Sequence, residues 1–88
     1  MIQKELFIPN PVLRIDFIKK ELRKHLSIGE AEVILTSFLK VYSVVENKMI
    51  IDSWIDLVKS EKLSLKMFFK QCITSDNRVL WLILDKLP

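Results

Sequence analysis

The sequence predicts an all-α protein, a compact bundle of about five short helices around a central helix at about residues 28–46. Two observations predict this class. Apolar residues recur at helical spacing in five separate segments, with polar turn residues between them. The 88 residues also contain a single glycine, no internal repeat and no low-complexity tract. A chain of this length builds one core, so residues 1–88 are expected to form a single helical domain in which residues 1–9 are a short lead-in segment.

The first helix is predicted to begin at Pro11 and to end near His25. Asn10 is a good N-cap, and Pro11 suits the first helical position because the amide that proline lacks has no partner there. One stripe of this helix is apolar, and it consists of Ile15, Ile18, Leu22 and Leu26. This stripe is expected to face the core.

The central helix opens with a complete start signal. Ser27 and Glu30 have the spacing of a capping box, in which each side chain accepts a hydrogen bond from the other residue's backbone amide. From there to about residue 46, apolar side chains cover most of the helix. The continuous polar strip contains only Glu32, Thr36, Lys40 and Ser43. A helix that is apolar on most sides needs neighbours on several sides, which predicts that the other helices surround it.

Three shorter helices are predicted to follow, each with its own cap. Asn47 is expected to cap the third helix, Ser64 the fourth, and the turn at residues 75–77 the fifth, which spans residues 78–87. The stripes predicted to be buried are Ile51, Trp54, Ile55 and Val58 in the third helix and Leu65, Phe68, Phe69, Cys72 and Ile73 in the fourth.

Two runs leave a strand alternative open. Residues 41–45 and 79–84 are rich in the β-branched and aromatic residues typical of strands, so an edge hairpin built from them is the alternative to helix. Both runs adjoin helix caps, and neither alternates apolar with polar residues. These two features favour helix.

The residues that carry catalysis or bind metals are nearly absent. His25 and Cys72 are the only histidine and cysteine, so the chain has no zinc-ligand spacing and no second imidazole. Cys72 lies on an apolar stripe, where it is expected to be a small buried hydrophobe. Asp52 and Asp56 are expected to form a solvated polar face. We therefore expect a protein that is not an enzyme and that takes no metal, cofactor or small-molecule substrate.

The expected location is cytoplasmic, and no membrane association is expected. A single cysteine fits a reducing compartment, and the first residues lack the basic and then apolar layout of a signal peptide. The longest uncharged run, residues 6–13, is far too short to cross a membrane.

Surplus apolar character indicates a binding function. Half of the residues are apolar (50%) and the mean hydropathy is +0.24. A single small core cannot bury this many apolar side chains, so some of them are expected to lie at the surface. Residues 14–24 carry five basic and two acidic side chains, which accounts for the whole net charge of +3. The first helix therefore predicts an apolar and basic face that binds a protein partner or a second copy of the chain. This face is formed by Leu13, Phe17, Lys20 and Lys24. The alternative for Phe17 is packing beneath the lead-in; Met67 and either Trp81 or Leu82 are also expected to be exposed.

The alternative function is that of a DNA-binding regulator with a helix-turn-helix at about residues 49–75. Its surface for base edges and phosphates would consist of Lys62, Ser64, Lys66, Lys70 and Gln71. Against this alternative, Ile55 occupies the position where a small residue usually lets the two helices approach, and the turn lacks glycine. Anionic lipid is a weaker alternative for the first helix because Asp16 and Glu21 interrupt its basic face.

Overall fold

Five α-helices form the described part of the chain, which is residues 11–88 of a computed structural model. They are α1 (Pro11–Arg23), α2 (Ile28–Tyr42), α3 (Val45–Lys59), α4 (Leu65–Cys72) and α5 (Arg78–Leu84). No strand occurs in this range. The prediction of an all-α bundle is confirmed, and the strand alternative for residues 41–45 and 79–84 is wrong. The predicted cap Asn10 and the lead-in lie outside the described residues.

The central position of α2 is also as predicted. This helix packs against each of the other four, and buried side chains from every helix join it in one apolar core. Phe38 of α2 and Phe68 and Phe69 of α4 are among the largest fully buried side chains. Their ring centroids lie 5.0–5.7 Å apart, so aromatic contacts join α2 to α4.

Local capping signals begin three of the helices where the sequence predicted. Ser27 Oγ accepts a hydrogen bond from the Glu30 amide at 3.2 Å, and the Glu30 carboxylate accepts one from the Ser27 amide at 3.1 Å. The side chains of Ser64 and Asn77 each accept from the amide three residues later, at 3.1 and 3.2 Å. These caps satisfy amides that have no partner inside their helices.

The central helix is shorter than predicted, because a corner at Ser43 and Val44 divides the predicted span. Val44 is extended (φ −77°, ψ 120°), and α3 begins with the next residue. The Ser43 hydroxyl donates to the carbonyl of Lys40 at 3.0 Å, and the Asn47 side-chain amide donates to the carbonyl of Val41 at 3.4 Å. These bonds compete with helix continuation by satisfying the last carbonyls of α2. Asn47 therefore lies inside α3 and does not cap its start.

The turn between α3 and α4 closes tightly without a glycine. The Glu61 amide donates to the Val58 carbonyl at 3.1 Å, and the Lys62 amide donates to the Leu57 carbonyl at 2.9 Å. This is the Schellman pattern, in which the residue after the cap adopts a left-handed conformation. Glu61 has φ 61°, so a residue with a side chain occupies the position that usually holds glycine.

A polar network joins α3 to both α1 and α2. The Arg14 guanidinium donates to the Asp52 carbonyl and to the Asp56 carboxylate, both at 3.0 Å. The Tyr42 hydroxyl donates to the Asp52 carboxylate at 2.6 Å. Asp52 is half-buried and Asp56 is exposed, so the expectation of a solvated acidic face applies to Asp56 alone. Three helices thus share one cluster of charge-assisted hydrogen bonds.

Candidate partner-binding site

The predicted partner-binding face lies along one side of α1, but its aromatic residue is partly used inside the protein. Leu13 is 61% exposed, and Lys20 and Lys24 are exposed. Phe17 is half-buried and packs against the core. The Lys59 ammonium of α3 lies 5.2 Å from the Phe17 ring centroid, which is cation–π distance. The two lysines and Leu13 remain at the surface, while Phe17 helps to join α1 to α3.

A groove of about 320 Å³ lies beside this face, between α1 and α2. Its apolar lining consists of Ile15, Leu22, Ile28, Ala31, Leu35 and Leu39. The exposed residues along it are Lys19 and Arg23 on α1 and Glu32 and Thr36 on α2. The apolar lining also reaches water, because Ile28 is 69% exposed. The groove therefore combines an apolar floor with two cations on one wall.

Sequence reasoning missed this groove. It assigned the basic residues of the first helix to a face centred on Lys20 and Lys24. The pair that lines the groove, Lys19 and Arg23, has the i, i+4 spacing that places two side chains on one side of a helix. That spacing is visible in the sequence. The residues of α2 that complete the groove become neighbours only when α1 packs against α2.

A second groove, of about 460 Å³, lies among α2, α3 and α4. Val44 and Ile50 line it and are 42% and 52% exposed, and Trp54 lies half-buried beside them. Cys72 also lines it, but burial raises the pKa of this thiol to about 12. A thiol with that pKa is protonated at neutral pH and is a poor nucleophile, so Cys72 gives this groove no reactive group. The polar part of the lining consists of Lys40, Asn47, Gln71 and Thr74.

The residues of the DNA-binding alternative lie on α4 and the turn before it: Lys62, Ser64, Lys66, Lys70 and Gln71. The Ser64 hydroxyl caps α4, and Lys70 Nζ lies 3.0 Å from the Asp85 carboxylate. The candidate recognition helix has eight residues, or about two turns. Two of the five side chains thus have roles within the protein, and DNA binding stays an untested prediction.

Apolar side chains are exposed at several places, as the composition predicted. Met67 is 48% and Leu82 is 63% exposed. Trp81 is half-buried, and its indole N–H donates to the Ser75 carbonyl at 2.6 Å. The most exposed large apolar side chains among residues 13–88 are two that were not predicted, Val45 at 80% and Met49 at 82%.

Residues 11–88 contain neither a candidate metal site nor a candidate membrane-spanning helix. Across residues 11–88, no group of three or more His, Cys, Asp or Glu side chains is placed to hold a metal ion. In the same range no helix is both long and apolar enough to pass through a bilayer.

The chain matches no protein family, no curated protein and no solved structure.

Proposed function

We propose that this protein is a non-enzymatic interaction protein that binds a partner protein through the apolar and basic surface of its first two helices. The observation that carries the proposal is the groove between α1 and α2, with its apolar floor and its cationic wall. Apolar grooves between helices are a common way of binding an amphipathic helix of another protein.

The dimensions of the groove support a helical partner. Its lining on α2 extends from Ile28 to Leu39, which is about 16 Å at 1.5 Å per residue. This length matches about three turns of a bound helix. Such a helix presents an apolar stripe at i, i+3, i+4 and i+7, and that stripe is the complement of the apolar floor.

The charge of the groove supports a partner with acidic residues beside its apolar stripe. Neither Lys19 nor Arg23 makes an ion pair with a residue in the range 11–88, and both are exposed. Lys20 extends the positive surface onto the neighbouring side of α1, whereas the Lys24 ammonium, just after α1, is paired with the Glu21 carboxylate at 2.8 Å. Opposite charges across an interface accelerate association and disfavour partners of like charge. Glu32 on the α2 wall gives the groove a polarity that favours one orientation of the bound helix.

The experiment is site-directed photocrosslinking in native extract, with and without nuclease. A photoreactive residue replaces Thr36, which is exposed in the groove, and a matched control variant carries it at Ser53, which is exposed on α3. We expect Thr36 to give a nuclease-resistant adduct with another protein that Ser53 does not give. An adduct with a second copy of the chain instead indicates self-association, and the absence of any specific adduct at Thr36 contradicts the proposal.

Charge reversal separates the proposal from the DNA-binding alternative. The double variant Lys19→Glu and Arg23→Glu is expected to lower the adduct yield at Thr36 several-fold, because the partner's acidic residues lose their attraction. The control double variant Lys62→Glu and Lys66→Glu changes the net charge equally, and we expect it to keep the yield. Loss of binding in the control variant, together with sensitivity to nuclease, would favour nucleic acid.

A further inference from the structure

The corner between α2 and α3 has weak local signals to stop one helix and start the next. Of the two residues that join the helices, Ser43 keeps dihedral angles in the helical region (φ −72°, ψ −14°), and only Val44 is extended (φ −77°, ψ 120°). Val44 occupies the N-cap position of α3 without a side-chain cap, and valine is a poor residue for that position. The corner contains neither glycine nor proline. A change centred on ψ of Val44 would therefore join α2 and α3 into one helix.

The hydrogen bonds of the corner can be exchanged for helical ones. The carbonyl of Val41 accepts from the Val44 amide at 3.2 Å and from the Asn47 side chain at 3.4 Å. The Val45 amide donates to no backbone carbonyl within residues 11–88. In a continuous helix this amide would donate to the Val41 carbonyl, which is four positions earlier. Opening the corner therefore gives a backbone partner to an amide that has none in the closed form.

The contacts that hold the two halves of the bundle together do not depend on the corner. The first half is residues 11–42 (α1 and α2), and the second half is residues 45–88 (α3, α4 and α5). The Phe38 ring of the first half lies 5.6 Å from the Phe69 ring of the second, measured between centroids. Arg14 of the first half donates two hydrogen bonds to α3 of the second. The same contacts can form between the first half of one copy and the second half of another.

We propose that the corner at Ser43 and Val44 is a hinge through which two copies of the chain exchange their halves. In the exchanged dimer, α2 and α3 of each copy form one continuous helix, and the first half of one copy packs against the second half of the other. Such an exchange reuses an interface that already exists, so it needs no new complementary surface. The groove between α1 and α2 lies within one half, so the proposal is independent of the partner-binding function. The groove among α2, α3 and α4 would be built from both copies.

Refolding from urea over a range of protein concentrations, followed by size-exclusion chromatography with light scattering, tests the hinge. We expect a dimer whose fraction grows with the concentration during refolding. Val45→Pro is expected to lower this fraction by about tenfold or more, because a proline inside a continuous helix breaks it. The closed form tolerates proline there, since Val45 is the first residue of α3, its side chain is 80% exposed and Val44 before it is already extended. The control Val45→Ala removes the same side chain without breaking a helix, and we expect it to keep the dimer fraction.

Nuclear Overhauser effects (NOEs) between chains distinguish an exchanged dimer from one that forms by contact of two surfaces. Isotope-labelled and unlabelled chains are refolded together, and the NOEs that join a labelled to an unlabelled chain are recorded. We expect such NOEs between the rings of Phe38 and Phe69, although both rings are fully buried. Three results overturn the proposal: no dimer at any refolding concentration, equal dimer fractions for Val45→Pro and Val45→Ala, or a dimer whose interchain NOEs come from exposed side chains alone.

Discussion

Replacing Phe38 by alanine is expected to remove most of the stability of the fold, because this ring joins the central helix to α4. Phe38 is fully buried, with 0% exposure. Its ring centroid lies 5.4 Å from that of Tyr42, 5.7 Å from that of Phe68 and 5.6 Å from that of Phe69. Truncation at this position therefore opens a cavity at the centre of the aromatic cluster.

The expected loss is about 5 kcal/mol in the free energy of unfolding. Truncating a buried phenylalanine to alanine costs about 3–5 kcal/mol, which includes the lost transfer energy and the cavity. Phe38 belongs at the upper end because three aromatic contacts disappear, each contributing about 0.5–1.5 kcal/mol. Small domains have a total stability of about 5–15 kcal/mol, so little stability remains. Phe38→Leu preserves most of the volume, and we expect it to cost about 1–2 kcal/mol.

Urea unfolding followed by circular dichroism measures these changes. The matched control is Leu39→Ala, the next residue on α2, which is 38% exposed and is expected to cost less than about 1.5 kcal/mol because less area is lost from the core. Two results would refute the reasoning: a loss below about 2 kcal/mol for Phe38→Ala, or equal losses for the two alanine variants. If Phe38→Ala does not fold, Phe38→Leu is measured alone, and a loss below about 1 kcal/mol would refute the reasoning.

Three further predictions follow from single side chains. Burial and, second to it, the hydrogen bond to Asp52 raise the pKa of Tyr42 from its ordinary 10.0 to about 12. Between these two pH values the folded chain keeps a proton that the unfolded chain releases. The free energy of unfolding is therefore expected to fall as the pH rises from 10 to about 12. Tyr42 is the single tyrosine, so the ultraviolet absorbance of tyrosinate reports this titration. Asp52→Asn is expected to lower the titration midpoint. A midpoint near 10 in the folded protein would contradict the contact between Tyr42 and Asp52. Cys72 is expected to react with a thiol reagent far more slowly in the native protein than in urea, because it is buried and its pKa is raised to about 12; equal rates would show that the thiol is accessible. Glu61→Gly is expected to increase the free energy of unfolding by about 0.5–1 kcal/mol, because glycine adopts a φ of 61° without strain; Glu61→Ala is the control, and a loss of stability in Glu61→Gly would contradict this account of the turn.

Parts of the candidate surfaces were predictable from residue types and spacing. The surplus of apolar residues predicted exposure at Leu13, at Met67 and at one of Trp81 and Leu82, since a small core has a limited capacity. The basic character of the first helix was also visible. The groove beside it was not, because its α1 and α2 walls lie on opposite sides of a turn. Phe17 was predicted to lie either on the binding face or beneath the lead-in, and no local pattern could indicate that Lys59, 42 positions later, covers it.

The sequence by itself determined the helical class and most of the helix starts. A capping hydroxyl or amide acts on an amide about three residues away, so Ser27, Ser64 and Asn77 were readable from neighbouring residues alone. The buried side of each helix was predictable for the same reason, since apolar residues spaced three or four positions apart lie on one face of a helix.

Only the tertiary structure decided where the central helix ends and which charges are used internally. The corner at Ser43 and Val44 allows α2 and α3 both to bury their stripes, although the sequence there is compatible with continued helix. Asp52 is half-buried because Arg14 of α1 and Tyr42 of α2 both contact it. Such contacts join residues that are distant in the chain, so they exist only after the helices have packed, and local propensity carries no information about them.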